Sequence, residues 1–197
     1  MNNLLKMKVG SKVPNPERLF EGYEIQENHI IANVSIDKIE SIMQHFIIMH
    51  KEEPLFFILE IPTHFKNETA PNQLHKDVYY IDGCTAEETF NILECYGNLL
   101  YNDGCVSFGF GCHYSNNEIM FGKYNVLTIY SQNIEQFYDF FEQHSIEQVN
   151  HLVTAWDTFS YDNPGMSERY EENGKSIYDL PELLKDWGIY FAERREE

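Results

Sequence analysis

The sequence predicts an α+β fold: one domain, a largely antiparallel sheet, and three to four helices packed against it. Three observations carry this. Helix-period and strand-period segments alternate through the first half of the chain. Three short strand candidates then follow closely between about 105 and 130, joined by polar turns that suit an antiparallel meander. Hydrophobic residues make up 43% and aromatics 15% of 197 residues, enough for a sizeable core, and no repeat or linker divides the chain.

The elements follow in order. Residues 1–27 hold Pro14, Pro16 and Gly22 among polar residues and read as an irregular lead-in. "HIIANV" (29–34) is a strand. Ser35 stands where a helix N-cap belongs, and Ile36, Ile39, Met43, Phe46 and Ile47 recur at helical spacing. Pro54 opens "LFFILEI" (55–61), a continuous apolar run typical of a buried strand, which Pro62 is expected to close. A polar loop (64–76) leads to a strand at 77–83. Thr85 and Glu88 then have capping-box spacing ahead of a helix with Phe90, Ile92, Leu93, Tyr96 and Leu99 on its apolar side. After the meander, a helix is predicted over 133–146 with Phe137 and Phe141 inward, and a strand over 151–159. A long polar loop (160–175) precedes a short helix (179–188), with Asp179 as cap and Pro181 in the first turn. The chain ends in a strand with a charged tail.

"CVSFGFGCHYS" (105–115) invites a chemical reading and resists most of them. Cys84, Cys95, Cys105 and Cys112 lie too far apart for a zinc knuckle, and Cys112 and His113 point to opposite faces of a strand. No metal and no cofactor are therefore expected. G-x-G without a following helix or lysine is no phosphate loop. A thiol nucleophile needs a base brought from elsewhere, with His64, His75, His144 and His151 as candidates. The simplest account is a core strand. Val106, Phe108, Phe110, Cys112 and Tyr114 share one face; Cys105, Ser107, Gly109, Gly111 and His113 share the other. Two glycines on one face imply that something approaches the backbone closely: a helix, an aromatic neighbour or a partner. The four cysteines are expected to be structural thiols.

Charge carries the functional reading. The formal net charge is −18, which disfavours nucleic acid and anionic membrane as partners and favours a basic protein. Solubility alone is the alternative. Between Lys76 and Arg169 the only Lys or Arg is Lys123, against fourteen acidic residues. Within 156–174, Trp156, Tyr161 and Tyr170 sit among Asp157, Asp162, Glu168, Glu171 and Glu172, joining aromatic anchors to steering charge. These eight residues are the expected partner-binding set. No apolar run is long enough to span a bilayer and no signal-peptide pattern opens the chain, so a cytoplasmic location is expected.

In size, acidity and lack of catalytic signatures, the chain resembles the small acidic immunity proteins that neutralise bacterial toxins. The expected function is a non-enzymatic module that engages a basic protein; a nuclease toxin is the sharpest case, because its phosphate-binding site must be basic. The alternative is a small enzyme with a thiol or carboxylate site assembled only by the fold.

Overall fold

Strands in which every second residue is large and apolar must bury that face together, and here they do so in one eight-stranded sheet. The computed structural model describes residues 3–63 and 74–196. In chain order the elements are β1 (Ser11–Lys12), β2 (Gly22–Gln26), β3 (His29–Asn33), α1 (Ile36–Met49), β4 (Leu55–Thr63), β5 (His75–Cys84) and α2 (Ala86–Asn102). The meander β6 (Ser107–Cys112), β7 (Glu118–Phe121) and β8 (Val126–Tyr130) follows, then α3 (Tyr138–Gln143), β9 (Met166–Ser167), α4 (Leu180–Leu183) and β10 (Tyr190–Glu196). The sheet order is β10-β5-β4-β6-β7-β8-β3-β2, antiparallel at every step, and β1 pairs separately with β9. The α+β expectation holds, with four α-helices among the described residues.

One face of the sheet is the core. Phe57, Leu59, Phe108, Phe110, Ile119, Phe121, Leu127 and Ile129 are fully buried there. Ile39, Ile42, Met43, Phe46 and Ile47 of α1 and Ile92, Leu93, Leu99 and Leu100 of α2 join the same cluster. Each such side chain contributes about 1.5–3 kcal/mol by leaving water. The opposite face carries no α-helix among the described residues. Its floor is Ile58, Met120 and the two glycines, because a neighbour's side chain or backbone fills the glycine positions. A Cβ on Gly111 would come within 2.1 Å of the Phe56 ring, and one on Gly109 within 2.0 Å of the Ile119 carbonyl. The close approach foreseen for this strand is thus an aromatic neighbour and the adjoining strand.

Local signals account for most boundaries. Thr85 Oγ1 accepts from the Glu88 amide (3.2 Å) while Glu88 Oε2 accepts from the Thr85 amide (2.7 Å), the full capping box. Ser35 occupies its N-cap position, yet its hydroxyl accepts from the Lys6 amide (3.1 Å) rather than from its own helix.

Four expectations need correction. The lead-in 1–27 is not irregular throughout: Tyr23 and Ile25 alternate with Glu24 and Gln26 to form β2, which hairpins onto β3. Residues 151–159 form no strand, because Thr154 and Asp157 close a second capping box and wind Ala155–Thr158 into a 3₁₀ turn. The helix at 133–146 splits into a 3₁₀ turn and α3, stopping at Gln143 as Ser145 turns to φ 55°. Pro62 does not close β4; it pairs opposite Lys76 inside the ladder. Most of the loop expected at 64–76, with His64, lies outside the described residues.

A single carboxamide ties the lead-in to the sheet. Asn125 is fully buried. Its Oδ1 accepts from the Lys8 amide (2.9 Å), and its Nδ2 donates to the Lys6 carbonyl (3.1 Å) and the Val34 carbonyl (2.8 Å). Asn125→Ala strands one amide and two carbonyls in a dry site. We expect a loss of about 3 kcal/mol in denaturant unfolding, since each buried unsatisfied group costs about 1–3 kcal/mol. A variant as stable as the parent would show that the lead-in is held by other contacts.

Candidate functional site

A large opening lies beside α3 and arises from how that helix ends. α3 stops after six residues, and the chain doubles back so that the Ile146 amide donates to the Phe141 carbonyl (3.0 Å). It then runs beside the β2 edge: the Tyr23 amide donates to the Glu147 carbonyl (3.0 Å), and the Val149 amide donates to the Tyr23 carbonyl (2.8 Å). This leaves a cavity of about 590 Å³ lined by Glu21, Tyr23, Tyr138, Asp139, Glu142 and Glu147, with Asn3, Ser145, Ile146 and Gln148. Among the described lining residues four are Asp or Glu and none is Lys or Arg; Lys38, outside the lining, reaches Glu21 and the Ser145 carbonyl.

Each wall has a reason to stay in place. The Glu21 carboxylate, only 4% exposed, takes Lys38 Nζ at 2.8 Å and the Ser35 amide at 3.3 Å. Tyr23 stacks on Phe141 with ring centroids 4.4 Å apart. Burial, then the neighbouring Tyr138 and Glu142, push the Tyr23 phenol above its ordinary value, so it stays a hydrogen-bond donor. Asp139 and Glu142 stand three residues apart on α3, on one side of the helix. The result is a recess with a negative field and two aromatic rings, suited to a cationic side chain.

The eight sequence-predicted residues do not form one patch. Trp156 is 52% exposed and meets Tyr124 edge-on at 4.8 Å. It borders a groove on the bare sheet face together with Glu60, Lys76, Lys123 and Arg195, so its surroundings are of mixed charge. The Asp157 carboxylate is occupied by Thr154, which holds it below its ordinary value. Tyr161 is 100% exposed, and Asp162 is exposed beside it in sequence. Glu168 pairs with Lys12 at 2.5 Å across β1 and β9. Tyr170 donates its amide to Asp103 (2.9 Å), and Asn98 of α2 donates to both the Tyr170 hydroxyl (3.2 Å) and the Glu172 carboxylate. Glu171 is exposed. The segment therefore divides between the bare face and the end of α2. The cavity acids escaped the sequence reading because they come from three stretches read for structure: Glu21 in the lead-in, Asp139 and Glu142 on a helix, Glu147 after it. The legible signal was the polar side of that helix, with Tyr138, Asp139 and Glu142 and no lysine.

The thiol reading meets a different histidine from those expected. His113 faces away from Cys112, with its Nε2 3.7 Å from Asp82. His144 lies 3.1 Å from His45, and His151 lies 3.7 Å from Glu24. His50 is the neighbour of Cys112, and Glu53 joins them. Cys112 is 2% exposed and burial pushes its thiol up to about 12, with Glu53 adding to the effect. A protonated thiol sealed from solvent is no nucleophile. On the bare face, burial and then Glu60 raise the Glu118 carboxyl above its ordinary value. Glu60 itself is held by Lys76 (2.6 Å) and Arg195 (3.3 Å).

Comparison with protein-family models, with curated proteins and with solved structures found no match. No helix among the described residues is long and apolar enough to cross a membrane.

The thiols give a direct check on this geometry. Cys95 is exposed and Cys105 half-buried. Cys84 is buried, its thiol pushed up to about 11 chiefly by burial. Alkylation of the folded protein near neutral pH should modify Cys95 first and Cys105 more slowly, with Cys84 and Cys112 reacting only on unfolding. Site-resolved mass spectrometry reads the order. Cys112 reacting as fast as Cys95 would reinstate the thiol enzyme.

Proposed function

We propose that this protein is a non-enzymatic binding module that engages a basic protein, and that the acidic cavity beside α3 receives a cationic side chain of the partner. The observation that carries the reading is the cavity lining itself: Asp139, Glu142 and Glu147 with Tyr23 and Tyr138, Glu21 held behind them by Lys38, and no Lys or Arg among the described lining residues. A guanidinium is planar and weakly hydrated, and it both pairs with carboxylates and stacks on aromatic rings. An inhibitor that occupies the basic site of a nuclease toxin, in the manner of an immunity protein, is the most specific form of this function. Trp156, Tyr161, Asp162 and Glu171 are the part of the earlier set that remains exposed for a wider interface. Asp157 serves its cap, and Glu168, Tyr170 and Glu172 serve intramolecular contacts as well.

Arginine amide stands in for the partner's side chain in a first test. We expect it to perturb the Tyr23 and Tyr138 ring resonances, weakly and at millimolar concentration, and to have no such effect on a variant carrying Asp139→Asn, Glu142→Gln and Glu147→Gln. With a captured basic partner, association should slow about tenfold or more as salt rises, because the Debye length shrinks from roughly 10 Å at 0.1 M to about 3 Å at 1 M. The triple variant should slow it at low salt as well. A partner whose association rate ignores both salt and the triple variant would show that the acidity serves solubility alone.

A further inference from the structure

His50 ends α1 as its C-cap, Glu53 lies in the turn into β4, and Cys112 is the last residue of β6. The antiparallel pairing of β4 with β6 sets Leu55 opposite Cys112, and the His113 amide donates to the Pro54 carbonyl (3.2 Å). The turn before β4 must therefore sit at the end of β6. One ligand atom from each of His50, Glu53 and Cys112 lies within 4.8 Å of the other two. His50 is 7% exposed, so two of the three are buried side chains.

We propose that His50 Nδ1, Glu53 Oε1 and Cys112 Sγ bind one zinc ion, an oxygen from Ser115 or water completing the tetrahedron. A sulfur, an imidazole nitrogen and a carboxylate oxygen form a donor set that suits zinc and not magnesium or calcium. The charges cancel: a dication with one thiolate and one carboxylate is neutral, which a buried corner tolerates. Binding is balanced by loss of one proton. The Cys112 S–H bond breaks as the S–Zn bond forms, and the proton leaves to solvent; Glu53 is already a carboxylate, and the His50 proton moves from Nδ1 to Nε2.

The surroundings are those a metal site needs around its ligands. Glu53 Oε2 accepts from the amides of Tyr114 (3.1 Å) and Ser115 (2.9 Å), which fixes the carboxylate while Oε1 stays directed at His50 (3.0 Å). Ser115 Oγ also donates to Oε1 at 2.8 Å. On the far side of the imidazole, Nε2 lies 3.4 Å from the Asn117 carboxamide. A half-turn of that carboxamide, which gives up its 3.3 Å hydrogen bond from Gln136 Nε2, presents its oxygen to the Nε2 proton, the outer partner that metal-bound histidines use. The absence of paired cysteines excluded a knuckle, and it does not bear on a set drawn from a helix end, a turn and a strand end.

Cobalt is the probe for this site. Metal-free, untagged protein titrated with Co²⁺ should take up one equivalent and develop the near-ultraviolet thiolate-to-cobalt absorption, abolished by one equivalent of Zn²⁺, with about one proton released per ion. Melting temperature should rise on adding Zn²⁺. Cys112→Ser should lose the absorption, and Cys95→Ser and Cys105→Ser should keep it. Should Cys112→Ser fail to fold, Glu53→Gln retains the thiol and, as the loss of a ligand, should weaken binding by at least the roughly 10- to 100-fold that removing an outer partner of a ligand costs. Parent protein that gives no stoichiometric cobalt–thiolate absorption overturns the proposal, and so does absorption that survives Cys112→Ser or is unaffected by Glu53→Gln.

Discussion

Everything in this molecule depends on one register. The central strands of the large sheet put their alternating large apolar side chains on the helix-covered face, and a shift of a single residue would turn those side chains to the bare face. The pairing of β4 with β6 shows how much follows. With Leu55 opposite Cys112, Phe57 meets Phe110 and Leu59 meets Phe108, all on the helix-covered side. The same register puts Gly111 opposite Phe56 and Gly109 opposite Ile58 on the bare side. It also brings the turn before β4 to the end of β6, where His50, Glu53 and Cys112 meet. The meeting of residues at that corner is a by-product of burying three phenylalanines and two leucines.

Charge is arranged by the same topology. Basic residues are concentrated toward the chain ends, which makes the middle of the sequence look one-signed. The fold brings those ends back onto the middle. β10 is an edge strand against β5, so Arg194 reaches Asp77 with two contacts of 2.6 and 2.9 Å. Arg195 joins Lys76 on Glu60, and Lys6 pairs with Asp37. These pairs neutralise the charges they join more than they add to stability, since the exposed members are screened by solvent. The described lining of the cavity beside α3 holds no Lys or Arg, and the cations near it, Lys38 and Lys6, act on Glu21 among its acids.

The elements legible in the sequence were those whose signal is local. The Thr85–Glu88 capping box, the apolar stripe of α1 and the alternation of β6 each depend on residues within a few positions of one another, and each appears as expected. β2 was hidden because Pro14 and Pro16 precede it, Gly22 opens it, and its alternation spans only five residues. Thr154 and Asp157 carried a capping signal as clear as that of Thr85 and Glu88, yet the apolar "HLV" before it favoured a strand. The candidate sites were the least legible. Glu21, Glu142 and Glu147 become neighbours through β2 and the chain beside it, and His50 meets Cys112 through a strand pairing. No spacing rule contains either fact.

The two sites share one wall. α1 has fourteen residues and is about 21 Å long at 1.5 Å per residue, a single rod with a buried stripe. At its first turn Lys38 holds Glu21, the innermost carboxylate of the cavity, and reaches the Ser145 carbonyl at 3.4 Å. Near its middle Ser41 and His45 contact His144, where α3 ends and the cavity begins. At its C-cap His50 reaches the Cys112 corner. The cavity rim is made of short elements, a six-residue helix and irregular chain, which have little stability of their own and take their position from what they touch. The back of that cavity is consequently set by the placement of α1, and α1 is anchored at its far end by the cluster that joins it to β6.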